Sequence, residues 1–376
     1  MKKVGIISMQ RIRNYGSFMQ AYGLKSMIED LGHSVEFVDY TVEPCLVSDE
    51  SARKNNKSLT EVLKKIYHLF IPVKKDEKMI DYEQKKEAFK TRYDGEFMEL
   101  LGVGSEKKYR TAVDTLVIGS DEVFNCMQSN PDVGYSRELF GYNNNADKVI
   151  TYAASFGNTT IEKISEYGKT QEIKELLGKI DTISVRDTNS GKIVHELLNK
   201  EPVYNLDPVL MYDFSKLIDC SKVKHRDYII VYGYENRIND EEAAIIRKFA
   251  DKNSKRLISI SGYQWFCDEH LVLNPFEVLA YFKMADYIIT DTFHGSIFSI
   301  INNKKFATII RKSQGNSYGN EEKISDLLMR LGLTDRTLDN MENLENLLTK
   351  EIDYNTVNKI IAEQREITKQ YLKEHI

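Results

Sequence analysis

The chain has 376 residues, 41% of them hydrophobic and 29% charged, which is the balance of a folded globular protein and excludes a disordered or fibrous one. Its 52 Lys and Arg against 57 Asp and Glu leave a formal net charge of −5, which removes the global electrostatic case for binding nucleic acid. No apolar run approaches the ~20 residues that span a bilayer, and the 4 cysteines (Cys45, Cys126, Cys220, Cys267) form no CxxC pair, so neither a zinc site nor a disulfide framework is expected and a reducing, cytoplasmic setting is.

The opening MKKVGIISMQ lacks a secretory h-region of adequate length, and Val4–Met9 reads as a first strand. From about Ser17 the period becomes helical, with Phe18, Ala21, Leu24, Ile28 and Leu31 on one face and Gly32 placed to end the helix. Ser34–Tyr40, Thr115–Ser120, Lys148–Ser155, Thr182–Asp187 and Val203–Pro208 are further strands. Most are nearly continuous apolar runs, as in parallel strands buried on both faces. After a polar stretch around 212–227 a second set begins, with strands Tyr228–Tyr234, Arg256–Ser261, Tyr287–Thr292 and Phe306–Ile310. Helices over Asp240–Lys252, from Asn274 and Pro275 to Ala285, near Gly295–Asn302, around Ile324–Leu331 and from Asn355 onward alternate with them.

The expected class is therefore α/β, with two Rossmann-like domains whose parallel sheets face one another across a cleft. Residues 1–211 form the first, 212–354 the second, and 355–376 a helix packing back across the domains. One segment breaks the alternation. About 53–110 reads as a helical insertion richer in Lys and Arg than in acids. Within it Lys64–Lys75 sets Ile66, Leu69 and Phe70 between lysine pairs. Two readings stand: ordinary apolar contact with the domain, or a peripheral contact with anionic lipid at the inner membrane surface.

Four strand-end turns carry the polar chemistry. Asn14, Gly16 and Ser17 lie where the first strand turns into the first helix, a place that favours an anion. Neither G-x-G-x-x-G nor G-K-[ST] is present. Ser120, Asp121 and Asn125 follow the strand Thr115–Ser120. Arg186 ends Thr182–Asp187, where its planar fork suits phosphate or carboxylate. The strongest signal is TDTFHGSIFS: His294, flanked by Asp291, Thr292, Phe293 and Gly295, stands at a strand end suited to acid–base work. Each has a plainer reading as a turn, a helix cap or a local ion pair. No histidine has a metal-ligand spacing, so no metal is expected.

In chain order, NYGSFMQAYGLK, SVEFVDY, VIGSDEVFN, YAASFG, SVRD, LDPVL and TDTFHGSIFSIINNKKFATII resemble the polysaccharide pyruvyl transferase family over about residues 3–335. The resemblance implies a glycosyltransferase-B-like layout. It implies a bacterial enzyme that moves the pyruvyl group of phosphoenolpyruvate to a sugar of an exopolysaccharide, capsule or lipid-linked precursor, forming a ketal without further cofactor. It makes His294 the functional histidine and Arg186 the donor-contacting arginine, with Asp291 or another acid orienting His294. The chain departs from the family at Thr292, where a cell-wall branch carries an arginine, and at Ser17, where the family often has Asp. Arg311, Lys312, Arg11 and Arg13 are the candidates to replace the missing cation, Arg311 first. A nucleotide-sugar glycosyltransferase of similar fold and a non-catalytic carbohydrate-binding relative are the alternatives.

Overall fold

The structure is a computed structural model, and it describes residues 1–47, 77–235, 237–312, 319 and 321–376. Among these, two six-stranded sheets dominate. The first contains β1 (Lys3–Ile7), β2 (Ser34–Phe37), β3 (Ala112–Asp121), β4 (Asn145–Ala154), β5 (Ser184–Val185) and β6 (Val203–Tyr204), in the order β2-β1-β3-β4-β5-β6. The second contains β7 (Tyr228–Gly233), β8 (Arg256–Ser261), β9 (Glu269–Leu271), β10 (Tyr287–Thr290), β11 (Lys305–Ile309) and β12 (Thr337–Leu338), in the order β12-β11-β10-β7-β8-β9. All neighbouring strands run parallel. The expected α/β class with two parallel sheets is therefore what the chain adopts. The short β9 and β12 are additions that the sequence pattern does not announce.

The order of each sheet fixes where a ligand can sit. In the first, the chain leaves β1 to one side for β2 and to the other for β3. In the second, β7 is flanked in the same way by β8 and β10. Between such strands the connecting helices diverge and open a crevice beyond the carboxyl ends.

Helix α1 (Tyr15–Asp30) follows β1 and is buried nearly all round, including Phe18, Ala21, Leu24 and Ile28. Its surroundings explain this: the helix is covered by both halves of the molecule. Tyr22 meets Phe276 at 5.2 Å between ring centroids, and the Tyr15 hydroxyl donates to the Leu273 carbonyl at 2.9 Å. Gly32, at φ 85°, supplies the left-handed residue just past its end.

Of the charged insertion, α2 (Glu77–Arg92), a π-helical turn over Tyr93–Phe97 and a short helix over Met98–Leu101 are described. The helical part ends there, earlier than 110, because Gly102 turns left-handed at φ 74° and Tyr109 bridges to Asp39. The Lys64–Lys75 segment and the readings attached to it lie outside the described residues. Further helices include α3 (Thr188–Leu198), α4 (Pro208–Met211), α5 (Asp240–Lys252), α6 (Pro275–Met284), α7 (Phe293–Ile301), α8 (Glu321–Arg330) and α9 (Tyr354–His375). Helix α9 returns to the first sheet, where the Tyr371 hydroxyl donates to the Thr151 carbonyl at 2.7 Å. No helix among the described residues is long and apolar enough to cross a membrane.

Candidate active site

The two crevices open onto one cavity of about 540 Å³, lined from both halves of the chain. The turn after β1 gives Asn14, Gly16 and Ser17, and the end of β3 gives Asp121, Glu122 and Asn125. Arg186 comes from the end of β5. The second half contributes Tyr234 and Arg237 after β7, Asp291, Thr292, Phe293 and His294 after β10, and Lys323 from α8.

The first-domain wall is a closed hydrogen-bond network. Asn14 caps α1, its side-chain oxygen accepting from the Ser17 amide at 2.7 Å. The Ser17 hydroxyl donates to Asp121 at 2.9 Å. Asn125 donates to Glu122 at 3.0 Å, and the other oxygen of Glu122 takes Lys323 Nζ at 2.9 Å across the cleft. The Arg13 fork grips Asp94 through two bonds of 2.7 Å. Arg11 is committed to Asp39 and points away from the cavity.

At the centre, Arg186, Asp207 and His294 meet. Asp207 is fully buried at the start of α4, where one carboxylate oxygen accepts from the Val209 amide at 3.0 Å. The other oxygen accepts from Arg186 Nη1 at 2.9 Å and faces His294 Nε2 at 3.5 Å. Burial alone would raise the Asp207 carboxyl, but His294 and Arg186 outweigh it and hold the group below its ordinary value. Burial likewise opposes charge on Arg186, yet Asp207 and Asp121, the latter at 3.9 Å, leave its pKa raised. Phe293 covers the guanidinium at 4.3 Å from its ring centroid. The His294 ring lies over Gly16: a Cβ added there would come within 2.1 Å of Nδ1. A histidine of the second domain thus rests on the first helix of the first, with a first-domain acid behind it.

Residues 14–313 match the family described as polysaccharide pyruvyl transferase. The chain belongs to that family. Among solved structures this pyruvyl transferase family member is similar to a kitacinnamycin glycosyltransferase, at 10% identity and TM-score 0.49, covering 99% of this chain and 97% of that one. It is similar also to a UDP-N-acetylglucosamine 2-epimerase, at 11% identity and TM-score 0.49 over 100% and 94% of the two chains. The S. aureus MnaA protein solved with UDP is similar at 12% identity and TM-score 0.45, over 96% and 95%. No protein of curated function matches the chain.

Several expected site residues of this transferase stand elsewhere than the sequence pattern puts them. The acid facing His294 is Asp207, whereas Asp291 lies 3.5 Å from Arg311 Nε. Burial raises the Asp291 carboxyl, and Arg237 and Arg311 offset only part of that. Arg311 does not line the cavity, because its fork binds Glu242 at the start of α5 with bonds of 2.5 and 3.0 Å. Ser120 is fully buried with its hydroxyl turned inward to the Ala153 carbonyl at 3.0 Å. Gly295 serves the turn rather than a ligand: a Cβ would meet Thr290 Oγ1 at 2.1 Å. Thr292 lines the cavity while capping α7 through the Gly295 amide at 2.9 Å.

Asp207, Tyr234, Arg237 and Lys323 are among the residues that sequence reasoning missed. Asp207-Pro208 carries the same capping signature as Asn274-Pro275 and follows a strand, so its position at the ligand edge was readable. Nothing in the residues around Arg237 distinguishes it. Among the described residues, no group of three or more His, Cys, Asp and Glu side chains is arranged to hold a metal.

Proposed function

We propose that this chain transfers the pyruvyl group of phosphoenolpyruvate to two hydroxyls of one sugar in a surface polysaccharide or its lipid-linked precursor, releasing phosphate and leaving a cyclic ketal. With that donor the reaction belongs in the cytoplasm, and it calls on no other cofactor. One observation carries the reading beyond the family: His294 is presented into the cleft from one domain while Asp207 and Arg186 support it from the other.

The chemistry needs a proton on the methylene carbon of the enol. The carbon bearing phosphate then becomes oxocarbenium-like, and the first sugar hydroxyl bonds to it and gives up its proton. Loss of phosphate regenerates that centre. The second hydroxyl closes the ring and releases its own proton. One proton is consumed and two are released, so one returns to the acid–base group and one leaves with phosphate. His294 suits this group. The anionic Asp207 favours a proton on Nε2, which leaves Nδ1 to deliver and collect protons near Gly16. Arg186 faces the donor's carboxylate from a buried, fixed position, so it need not reorganise as charge develops.

Replacing His294 by Ala should lower ketal formation by ~10²–10⁴-fold in a folded protein, read by mass detection of the added group. A variant of near wild-type activity contradicts the assignment. Thermal stabilisation by UDP-sugars in place of phosphoenolpyruvate would contradict the choice of donor.

A further inference from the structure

Four cationic side chains of fixed charge line the cavity: Arg13, Arg186, Arg237 and Lys323. Three are already matched by carboxylates. Arg13 is forked onto Asp94 at 2.7 Å, Arg186 binds Asp207 at 2.9 Å, and Lys323 binds Glu122 at 2.9 Å. A cation whose carboxylate partner is fixed beside it adds little net field, because the pair acts as a dipole. Arg237 differs. Among the described residues it makes no carboxylate ion pair, and its guanidinium lies over the face of Tyr234, 4.6 Å from the ring centroid. Tyr234 is itself 48% exposed, so ring and guanidinium both border the open cavity. Stacking on an aromatic face leaves the in-plane N–H groups of an arginine unused and holds the fork flat.

Position adds to charge. Arg237 follows β7 and His294 follows β10, the two strands between which the second sheet opens its crevice. The buried Arg186 stands on the other wall, where its Nε has no hydrogen-bond partner. A small ligand with two anionic ends could therefore lie between the two guanidiniums with its reacting centre near His294.

We propose that Arg237 is the phosphate-binding residue of the cleft, that it grips the donor's phosphate through its guanidinium fork, and that Tyr234 is the positioning residue that holds it. The proposal rests on the donor assigned above. Its chemistry, one divalent oxyanion on one arginine fork, is also open to inorganic phosphate.

The test uses the full chain. Steady-state rates would be measured against phosphoenolpyruvate and against the sugar acceptor for Arg237→Gln, Tyr234→Ala and Tyr234→Phe, with folding checked by circular dichroism. Inorganic phosphate would be titrated calorimetrically into the wild type and Arg237→Gln. Losing a charge-assisted hydrogen-bonding group should lower kcat/KM for the donor by roughly 10–100-fold, mainly through KM, with acceptor KM unchanged and phosphate binding weakened in parallel. Tyr234→Ala should show part of that loss and Tyr234→Phe should recover it. An unchanged donor KM in Arg237→Gln, or phosphate binding equal to wild type, overturns the proposal. If the wild type does not use phosphoenolpyruvate but Arg237→Gln still loses phosphate binding, the donor assignment fails and the oxyanion site stands.

Discussion

On the first-domain wall of the cleft, polar side chains are taken up by one another: Asn14 by Ser17, Ser17 by Asp121, Asn125 by Glu122, and Arg186 by Asp207. On the second-domain wall, His294 stands 3.5 Å from its nearest acid, and Arg237 is stacked on a ring face with no close carboxylate pair among the described residues. Apart from Arg186, whose Nε has no hydrogen-bond partner, these first-wall groups form a scaffold satisfied before any ligand arrives, and the second wall presents groups whose bonding capacity is still open. A residue at a strand end is therefore not a ligand by its place alone. What separates the walls is whether the side chain already has its partners.

That contrast can be broken from the scaffold side. Asp207→Asn removes the nearest charge that balances buried Arg186 and leaves the more distant Asp121 at 3.9 Å, so the cost should approach the about 3–5 kcal/mol of an unpaired buried charge without reaching its upper end. The pH dependence has a definite sign. The folded pKa of Asp207 lies below its ordinary 3.8, so its contribution is complete above that value and is lost as pH falls through the folded one. Urea denaturation should therefore show a stability gap between wild type and Asp207→Asn at neutral pH that narrows under acid, and a gap independent of pH would contradict the pairing.

The approach between the walls is tested next. Gly16→Ala places a methyl within 2.1 Å of His294 Nδ1, so the ring or the helix must move. A misplacement near 1 Å typically costs ~10²-fold in rate. The assay should show that loss with little change in melting temperature, and a fully active Gly16→Ala would mean the ring can yield.

The smallest effect is expected away from the cavity. Arg311→Gln breaks the fork onto Glu242 and the contact with Asp291 and should cost about 1–3 kcal/mol of stability, with donor KM unchanged. A raised donor KM would return Arg311 to the site.

Much of the frame is legible in the sequence because β1, β3, β4, β7 and β10 are apolar, β-branched runs with polar strand ends. Helix periods, Gly32 and the Asn274-Pro275 cap mark their own boundaries. Strands β9 and β12 are not legible, since 3 and 2 residues carry no period, and β5 and β6, 2 residues each, are far shorter than the expected Thr182–Asp187 and Val203–Pro208 runs in which they lie. Within the site, His294 and Arg186 stand out because a strand-end histidine or arginine is chemically conspicuous. Asp207 does not, because its local pattern describes only the oxygen that caps α4. The other oxygen acquires its role when the second domain brings His294 to it. Asp291 misleads for the complementary reason: closeness in sequence to His294 says little about side-chain direction where a strand turns into a helix. Ser120 and Arg311 likewise look available until the fold supplies Ala153 and Glu242.

The most direct measurement is phosphate release from phosphoenolpyruvate in the presence of a panel of lipid-linked glycans, followed with wild type and with His294→Gln, with the products weighed by mass spectrometry. Acceptor-dependent phosphate release that yields a pyruvyl ketal and falls away in His294→Gln is the predicted result. Equal release by the two proteins would contradict the role of His294. Activity with nucleotide sugars alone would contradict the transfer itself.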